Sequence, residues 1–397
     1  MAIRSVEEID VRGKRVLVRC DFNVPLDKNL HITDENRITA ALPTIMYLLE
    51  RKAKVILMSH LDRPKGKVVP EMSLAPVADN LSMHLGKPVK FVNESIGPEV
   101  EQAVKSMIPG EVILLENLRF HKEETDNNPE FAKKLAALGE VFVNNDFGTS
   151  HRVQASTVGI TDYIGTVACG FLLKKEIEYL QDAVANPKRP FVVIVGGSKI
   201  STKIGVILKL LDKADSLLIG GAMAYTFFRA MGLEIGNSLY EEDKVTTAEE
   251  IMEKANNSKC EFILPVDCMI ASSFSMDAET SFVDRENIPA GWVSPDIGPK
   301  TVELYRSKIR KANMVVWNGP LGAFEMAPFA GGTKAIAQAL AEATEAGTVT
   351  IIGGGDTSAA LAQYGLQDKM TYVSTGGGAS LELLEGKVLP GMQALDK

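Results

Sequence analysis

The chain has 397 residues, beyond the size at which one core usually keeps growing, so two domains are expected. Hydrophobic residues at 45% and charged residues at 24% fit a soluble globular protein, and a net charge of −8 with acids in excess in both halves disfavours nucleic-acid binding. The start, MAIRSVEEIDVRGKR, has no apolar signal region and no apolar run approaches a membrane span; Cys20, Cys169, Cys260 and Cys268 make neither a CxxC pair nor a zinc spacing. A reduced, cytoplasmic protein with no membrane partner is expected.

Taken in order, the chain alternates short apolar strands with helical patterns. The first half predicts strands at Arg15–Arg19, Val55–Met58, Val89–Val92, Val112–Leu115 and Val141–Asn144. A helix follows from Phe171, with Leu173, Ile177, Leu180 and Val184 at helical spacing, and Asn186-Pro187 stops it. The second half predicts strands at Phe191–Val195, Leu217–Ile219, Phe262–Leu264, Met314–Trp317, Val349–Ile352 and Thr371–Val373. Helical patterns fill most intervals, among them Pro129–Leu138 and Thr333–Thr344. Such alternation implies an α/β fold with parallel sheets covered on both faces, and the long helix reads as a bridge between two lobes.

Ligands of open α/β sheets sit beyond the carboxyl ends of the strands, so the residues that follow each strand are the candidates. In the first half these are Asp21 and Asn23, His60 and Arg63, Arg119, then His151 and Arg152, with Arg37 at the start of a helix. Arginine forks match phosphate and carboxylate oxygens in pairs, so the cluster suits a small, highly charged substrate. Each residue alone also has a structural reading: Asp21 and Asn23 as turn formers or caps, Arg119 as a partner of Glu116, His60 and His151 as structural histidines. Their common place at successive strand ends favours the functional one.

The second half ends its strands on glycines. Gly196-Gly-Ser-Lys199 leads to Lys203; later come Gly220-Gly221, Asn318-Gly-Pro320 with Glu325, Gly353-Gly354-Gly355-Asp356-Thr357, and Gly376-Gly377-Gly378. Glycine lets a ligand approach the backbone, and N–H groups at helix starts favour anions. Asp356 suits magnesium through phosphate oxygens or water. No Gly-Lys pair is followed by Ser or Thr, so there is no P-loop, and neither GxGxxG after the first strand nor GxSxG occurs.

Ten segments, RVLVRCDFNVPLD, ENRITAALPTI, SHLDRPKG, LLENLRF, FGTSHR, IVGGSKISTK, GGAMAYTF, WNGPLGAFE, GGGDTSAA and STGGGASLELLEGK, resemble the phosphoglycerate kinase family, in order and across essentially the whole chain. The resemblance implies two Rossmann-like lobes joined by a long hinge helix. A glycerate-binding lobe would span 1–170 with the tail 388–397, the hinge helix 171–187, and a nucleotide-binding lobe 188–387. It implies reversible phosphoryl transfer between 1,3-bisphosphoglycerate and MgADP, giving 3-phosphoglycerate and MgATP, by a cytoplasmic monomer that closes around its hinge. Carried onto this sequence, the glycerate site would be Asp21, Asn23, Arg37, His60, Arg63, Arg119 and Arg152. The nucleotide site would be Lys199, Lys203, Gly220, Asn318, Pro320, Glu325, Gly353, Gly354, Gly355, Asp356 and Thr357. Glu325 would hold the ribose, Asp356 the Mg2+, and Gly376, Gly377 and Gly378 would face the transferring group together with Arg37 and Lys199.

Two places depart from the family pattern. The usual N-D-A-F-G-T is here Asn144-Asn145-Asp146-Phe147-Gly148-Thr149, and the glycine usual between Leu61 and Arg63 is Asp62. The residues themselves suit the implied chemistry, because the accepting carboxylate is already ionised at neutral pH. No general base is needed, and cations and positioning carry the reaction. A dehydrogenase would need the dinucleotide fingerprint that is missing; a non-catalytic two-lobed binding protein would not need Arg37, Lys199 and Asp356 together.

Overall fold

The computed structural model describes residues 3–397; Met1 and Ala2, with which the first predicted lobe begins, lie outside the described residues. The chain divides into two units. One runs to Glu178 and takes in Val388–Lys397; the other is Tyr179–Lys387. Among the described residues no helix is long and apolar enough to cross a membrane.

The first unit is built on β1 (Arg15–Arg19), β2 (Lys54–Met58), β3 (Val89–Val92), β4 (Val112–Leu115), β5 (Val141–Asn144) and β6 (Val167–Cys169), parallel and ordered β3-β4-β2-β1-β5-β6. β4 and β5 are buried at every residue, as strands covered on both faces must be. The helix Asn36–Glu50 buries Ile38, Ala41, Ile45 and Leu48, one face at helical spacing, against Val16, Val18 and Leu57 of the sheet. The helix Pro129–Ala136 starts where Asn128 accepts the N–H groups of Glu130 and Phe131, with Pro129 at the position where a missing N–H costs nothing. The C-terminal segment belongs to this unit: Gly391 N–H donates to Ser150 O at 2.8 Å, and Leu389, Met392 and Leu395 are buried.

The second unit carries β7 (Phe191–Val195), β8 (Ser216–Ile219), β9 (Glu261–Ile263), β13 (Met314–Asn318), β14 (Val349–Gly353) and β15 (Tyr372–Val373), parallel and ordered β15-β14-β13-β7-β8-β9. Read from β9, this is the order of doubly wound dinucleotide folds, reached without their fingerprint. Trp317 is wholly buried at its centre, and its indole N–H donates to Gly319 O at 2.8 Å. Purely parallel sheets do not describe this unit. β10 (Asp267–Ala271), β11 (Thr280–Asp284) and β12 (Val293–Ile297) form a separate antiparallel sheet, ordered β11-β10-β12, which the alternation in the sequence does not announce. The expected long helix is also not uniform: it is α over Phe171–Glu176, π over Ile177–Asp182 and α again over Ala183–Ala185.

In the second sheet the chain winds outward from β7 and then returns to that strand's other side; in the first it runs from β1 to β2, out to β3 at the edge and back to β4 before crossing to the other side of β1. The reversal falls between β1 and β5 in the first unit and between β7 and β13 in the second. Loops leaving such a pair diverge and open a crevice at the carboxyl ends, where the candidate residues stand.

Candidate active site

In the first unit the residues after β1, β2, β4 and β5 are tied together. Arg37 brings Nη1 to 2.7 Å from both carboxylate oxygens of Asp21. Asp21 is indeed a turn former as well, since Asn23 N–H donates to its Oδ1 at 3.1 Å. Burial, then the neighbouring Asp146, push the Asp21 carboxyl up, against the pull of Arg37. Asn23 Oδ1 accepts the N–H of Asp62 at 2.8 Å, and Arg119 Nη1 donates to Asp62 O at 2.9 Å. So Asp62 acts through its backbone, at φ 51°, while the side chain is exposed. That left-handed conformation suits glycine, and aspartate is among the side chains that tolerate it.

Arg63, Arg119 and Arg152 line one pocket with Lys65 and Lys122, and among the described residues no carboxylate lines it. The two lysines were not singled out from the sequence. Lys65 stands two residues beyond Arg63 at φ 58°, and Lys122 three beyond Arg119; the same reading of strand-end loops, extended by one turn, would have found them. Arg119 is buried and does not pair with Glu116, whose carboxylate instead takes Ser73 Oγ–H and the N–H groups of Leu74 and Asn117. Its Nε and Nη2 have no partner among the described residues. Burial, then the charges of Arg19 and Arg152, bring the Arg119 guanidinium down to about 10, still a cation at neutral pH. Arg152 Nε donates to His151 Nε2 at 3.2 Å. His60 is 3% exposed; burial, then Arg19, Arg119, Arg37 and Arg152, hold it well below the usual histidine range, so it is neutral.

Asp146 is buried and pairs with the equally buried Arg19 at 2.9 Å, and it accepts Thr149 N–H at 2.9 Å. Asn145 instead accepts Thr44 Oγ1–H and the N–H of Leu172 at 2.9 and 3.1 Å. The displaced acid therefore compensates a buried cation behind the rim.

The second unit's rim is made of backbone. Gly196 N–H donates to Asn318 O, Gly197 N–H to Pro320 O and Gly221 N–H to Leu321 O, which clasps the loops after β7, β8 and β13. Gly319 shows why glycine is required: its φ is +94°, and a Cβ there would lie 2.1 Å from Gly196 O. Gly220 packs on Leu321, where a Cβ would meet Cδ2 at 2.4 Å. Thr357 Oγ1 accepts Gly319 N–H at 2.7 Å and so joins the helix start that follows Gly353, the last residue of β14, and Gly354 to the loop after β13. The helices Gly355–Gln363 and Gly377–Leu384 begin side by side: a Cβ on Gly377 would stand 3.4 Å from Gly355 N. Two positive helix ends thus converge, flanked by Gly376 and Gly378, in a place suited to phosphate.

Lys203 is buried, its Nζ bonded to Asn318 Oδ1, and burial outweighs Asp356 and Glu385 to bring its ammonium down to about 8. Lys199 is exposed at the opening of the loop. Pro320, Glu325 and Asp356 line a single pocket with Leu239 and Phe274, whose exposed apolar side chains form a wall. Neither Leu239 nor Phe274 was expected. Phe274 follows the unforeseen β10 within Ser272-Ser-Phe-Ser-Met276, where no periodicity points to it. Among the described residues no group of three or more His, Cys, Asp or Glu side chains is arranged to hold a metal ion.

The two units form an α/β protein with one rim of arginine side chains and one of glycine loops beside an apolar wall. Residues 6–387 match the family model described as phosphoglycerate kinase. The chain is similar to the phosphoglycerate kinase of Chloroherpeton thalassium, at 54% identity over 395 residues covering 100% of this chain and 99% of that one. It is 56% identical over 394 residues to the phosphoglycerate kinase of Chloroflexus aurantiacus, covering 99% of this chain and 98% of that one. The solved phosphoglycerate kinase of Coxiella burnetii superposes with a TM-score of 0.90 at 44% identity, covering 99% of this chain and 98% of that one. The chain belongs to the phosphoglycerate kinase family, and so to the transferases that move a phosphoryl group to and from a carboxyl group in glycolysis.

Proposed function

We propose that the first unit binds 3-phosphoglycerate or 1,3-bisphosphoglycerate, the second binds MgATP or MgADP, and the phosphoryl group passes between them. The observation that carries this is the buried Arg119, whose Nε and Nη2 have no partner among the described residues, beside a pocket whose charged lining residues Arg63, Lys65, Arg119, Lys122 and Arg152 are all cations. Such donors favour the oxygens of an anion. Arg63, Arg119 and Arg152 take the phosphate of the glycerate; Asp21, Asn23, Arg37 and His60 orient the rest.

In the second unit Leu239 and Phe274 suit the base, Glu325 the ribose, and Lys203, Asn318, Pro320, Thr357 and the glycine loops the phosphates. Asp356 shares their pocket and is the carboxylate suited to Mg2+, which is usually held by one or two carboxylates and the substrate's own phosphates. Bound there, the ion would neutralise charge on the nucleotide's phosphate oxygens. Arg37 and Lys199 flank the transferring group, and the convergent helix starts at Gly355 and Gly377 stabilise its oxygens. No residue need remove a proton, since the acceptor oxygen is ionised throughout, and His60, held neutral among arginines, is not called on as a base.

Because the two ligand sets belong to different units, transfer requires closure, with the segment around Ile177–Asp182 and the tail after Pro390 as hinge elements. Closure also keeps water from the acyl phosphate. The protein acts as a cytoplasmic monomer. A coupled assay with 3-phosphoglycerate and MgATP, with and without magnesium, tests the proposal: magnesium-dependent acyl-phosphate formation is expected, and its absence with both ligands bound would refute it. Small-angle scattering should show compaction only when both ligands are present.

A further inference from the structure

His60 faces the first unit's rim, yet what decides its chemistry lies behind it. Arg19 closes β1 and is wholly buried. Every arm of its guanidinium has a partner: Nε donates to Ser156 Oγ at 2.8 Å, Nη1 donates to Cys20 O and forms an ion pair with Asp146 Oδ2 at 2.9 Å, and Nη2 stands 3.1 Å from His60 Nδ1. A guanidinium carries only donors, so His60 Nδ1 must be the acceptor in that last bond. A neutral imidazole carries one N–H, which places it on Nε2.

We infer that Arg19 is a positioning residue of the glycerate site, fixing His60 as the Nε2–H tautomer so that it meets an anionic substrate as a hydrogen-bond donor. The inference rests on the glycerate-site reading proposed above. Phosphate and carboxylate oxygens offer only acceptors. The other tautomer would turn a lone pair toward them and set Nδ1–H against Arg19 Nη2–H.

The rest of the network holds Arg19 still. Asp146, one of the two departures from the family pattern, supplies its counter-charge and is itself fixed by Thr149, which donates to Oδ1 from its N–H at 2.9 Å and to Oδ2 from its hydroxyl. Ser156 donates to the buried Glu124 at 2.6 Å while accepting from Arg19. The loop after β5 thus sets the angle of a side chain on the loop after β2. In this chain Asp146 is the anchor of that relay.

The test uses the full chain with 15N-labelled histidine and long-range proton–nitrogen correlation at neutral pH, the His60 signals being assigned with His60→Gln. The expected wild-type result is a pyridine-like Nδ1 and a pyrrole-like Nε2 before any ligand is added. A protonated Nδ1, or an averaged pair, overturns the inference without any variant. Arg19→Met should mix the tautomers and raise KM for 3-phosphoglycerate about tenfold, as loss of one charge-related hydrogen bond implies, with KM for MgATP unchanged. Arg19→Lys, which keeps a donor, should recover part of that loss. If Arg19→Met does not fold, Ser156→Ala, which frees one arm of Arg19, should broaden the His60 signals and raise the same KM. A folded Arg19→Met with unaltered tautomer and KM overturns the proposal. If the wild-type tautomer is as inferred but 3-phosphoglycerate fails to shift His60 Nε2, the glycerate-site reading falls while the Arg19–His60 lock stands.

Discussion

The two rims are built by opposite means. The first unit uses long cationic side chains, and it has to hold buried charge behind them: Arg19 against Asp146, with Glu124 close by. The second is made of backbone loops and helix starts, where the limiting resource is space: a Cβ on Gly319 would lie only 2.1 Å from Gly196 O. A site made of side chains can lose function with little change in stability. A site made of backbone loses stability with function, because its loops are also its packing.

The largest effect expected is on the transferring group itself. Arg37→Ala and Lys199→Ala should each lower kcat by roughly 10²–10³-fold or more, the usual cost of one charge at a developing anion. Both side chains reach solvent, so thermal unfolding should be nearly unchanged; near-full activity in either variant would remove it from the reaction. Gly319→Ala should cost about 2–5 kcal/mol in denaturant unfolding, from strain plus overpacking, and abolish MgADP binding. Arg152→Ala should leave the melting curve in place and raise KM for 3-phosphoglycerate about tenfold or more. If those two variants behaved alike, the contrast between side-chain and backbone sites would fail.

A smaller effect separates the rims by pH. Lys203 is brought down to about 8 by burial, so the free protein loses that cation as pH rises through about 8. Since kcat/KM reports the free enzyme, the value for MgATP should fall across that range. The value for 3-phosphoglycerate should stay level there, because the arginines assigned to it keep their charge and even Arg119 is brought down only to about 10. Parallel profiles for the two substrates would break the distinction. The smallest change expected is Asp62→Gly. It relieves a left-handed aspartate but frees the unfolded chain, so stability should move by no more than about 1 kcal/mol in urea titration. KM for 3-phosphoglycerate should fall a few-fold at most, as befits one exposed charge.

The parallel strands were legible because a strand buried on both faces must be a short run of apolar residues. Phe191–Val195 and Val141–Asn144 are such runs, and the residues behind them are the rims. The antiparallel sheet was not legible. β11 is exposed along Thr280-Ser-Phe282, and β12 carries Ser294, Pro295 and Asp296; no local pattern marks either, and they are strands because β10 lies between them. Pro295 is tolerated because β12 is an edge. The π segment at Ile177–Asp182 was hidden for a related reason, since its apolar spacing also fits an α-helix.

What local chemistry decided was which residues stand at strand ends: arginines in one half, glycines and two lysines in the other. That follows from burial and chain continuity, and both are local properties. Which of those residues meet was decided by strand order, through contacts such as Arg19 with Asp146 and Lys203 with Asn318, made between residues more than a hundred positions apart. Such pairings depend on how the sheet is wound and not on any neighbouring residue. That is why the arginines could be listed from the sequence, while the counter-charge behind them and the tautomer of His60 could be read only once the chain was folded.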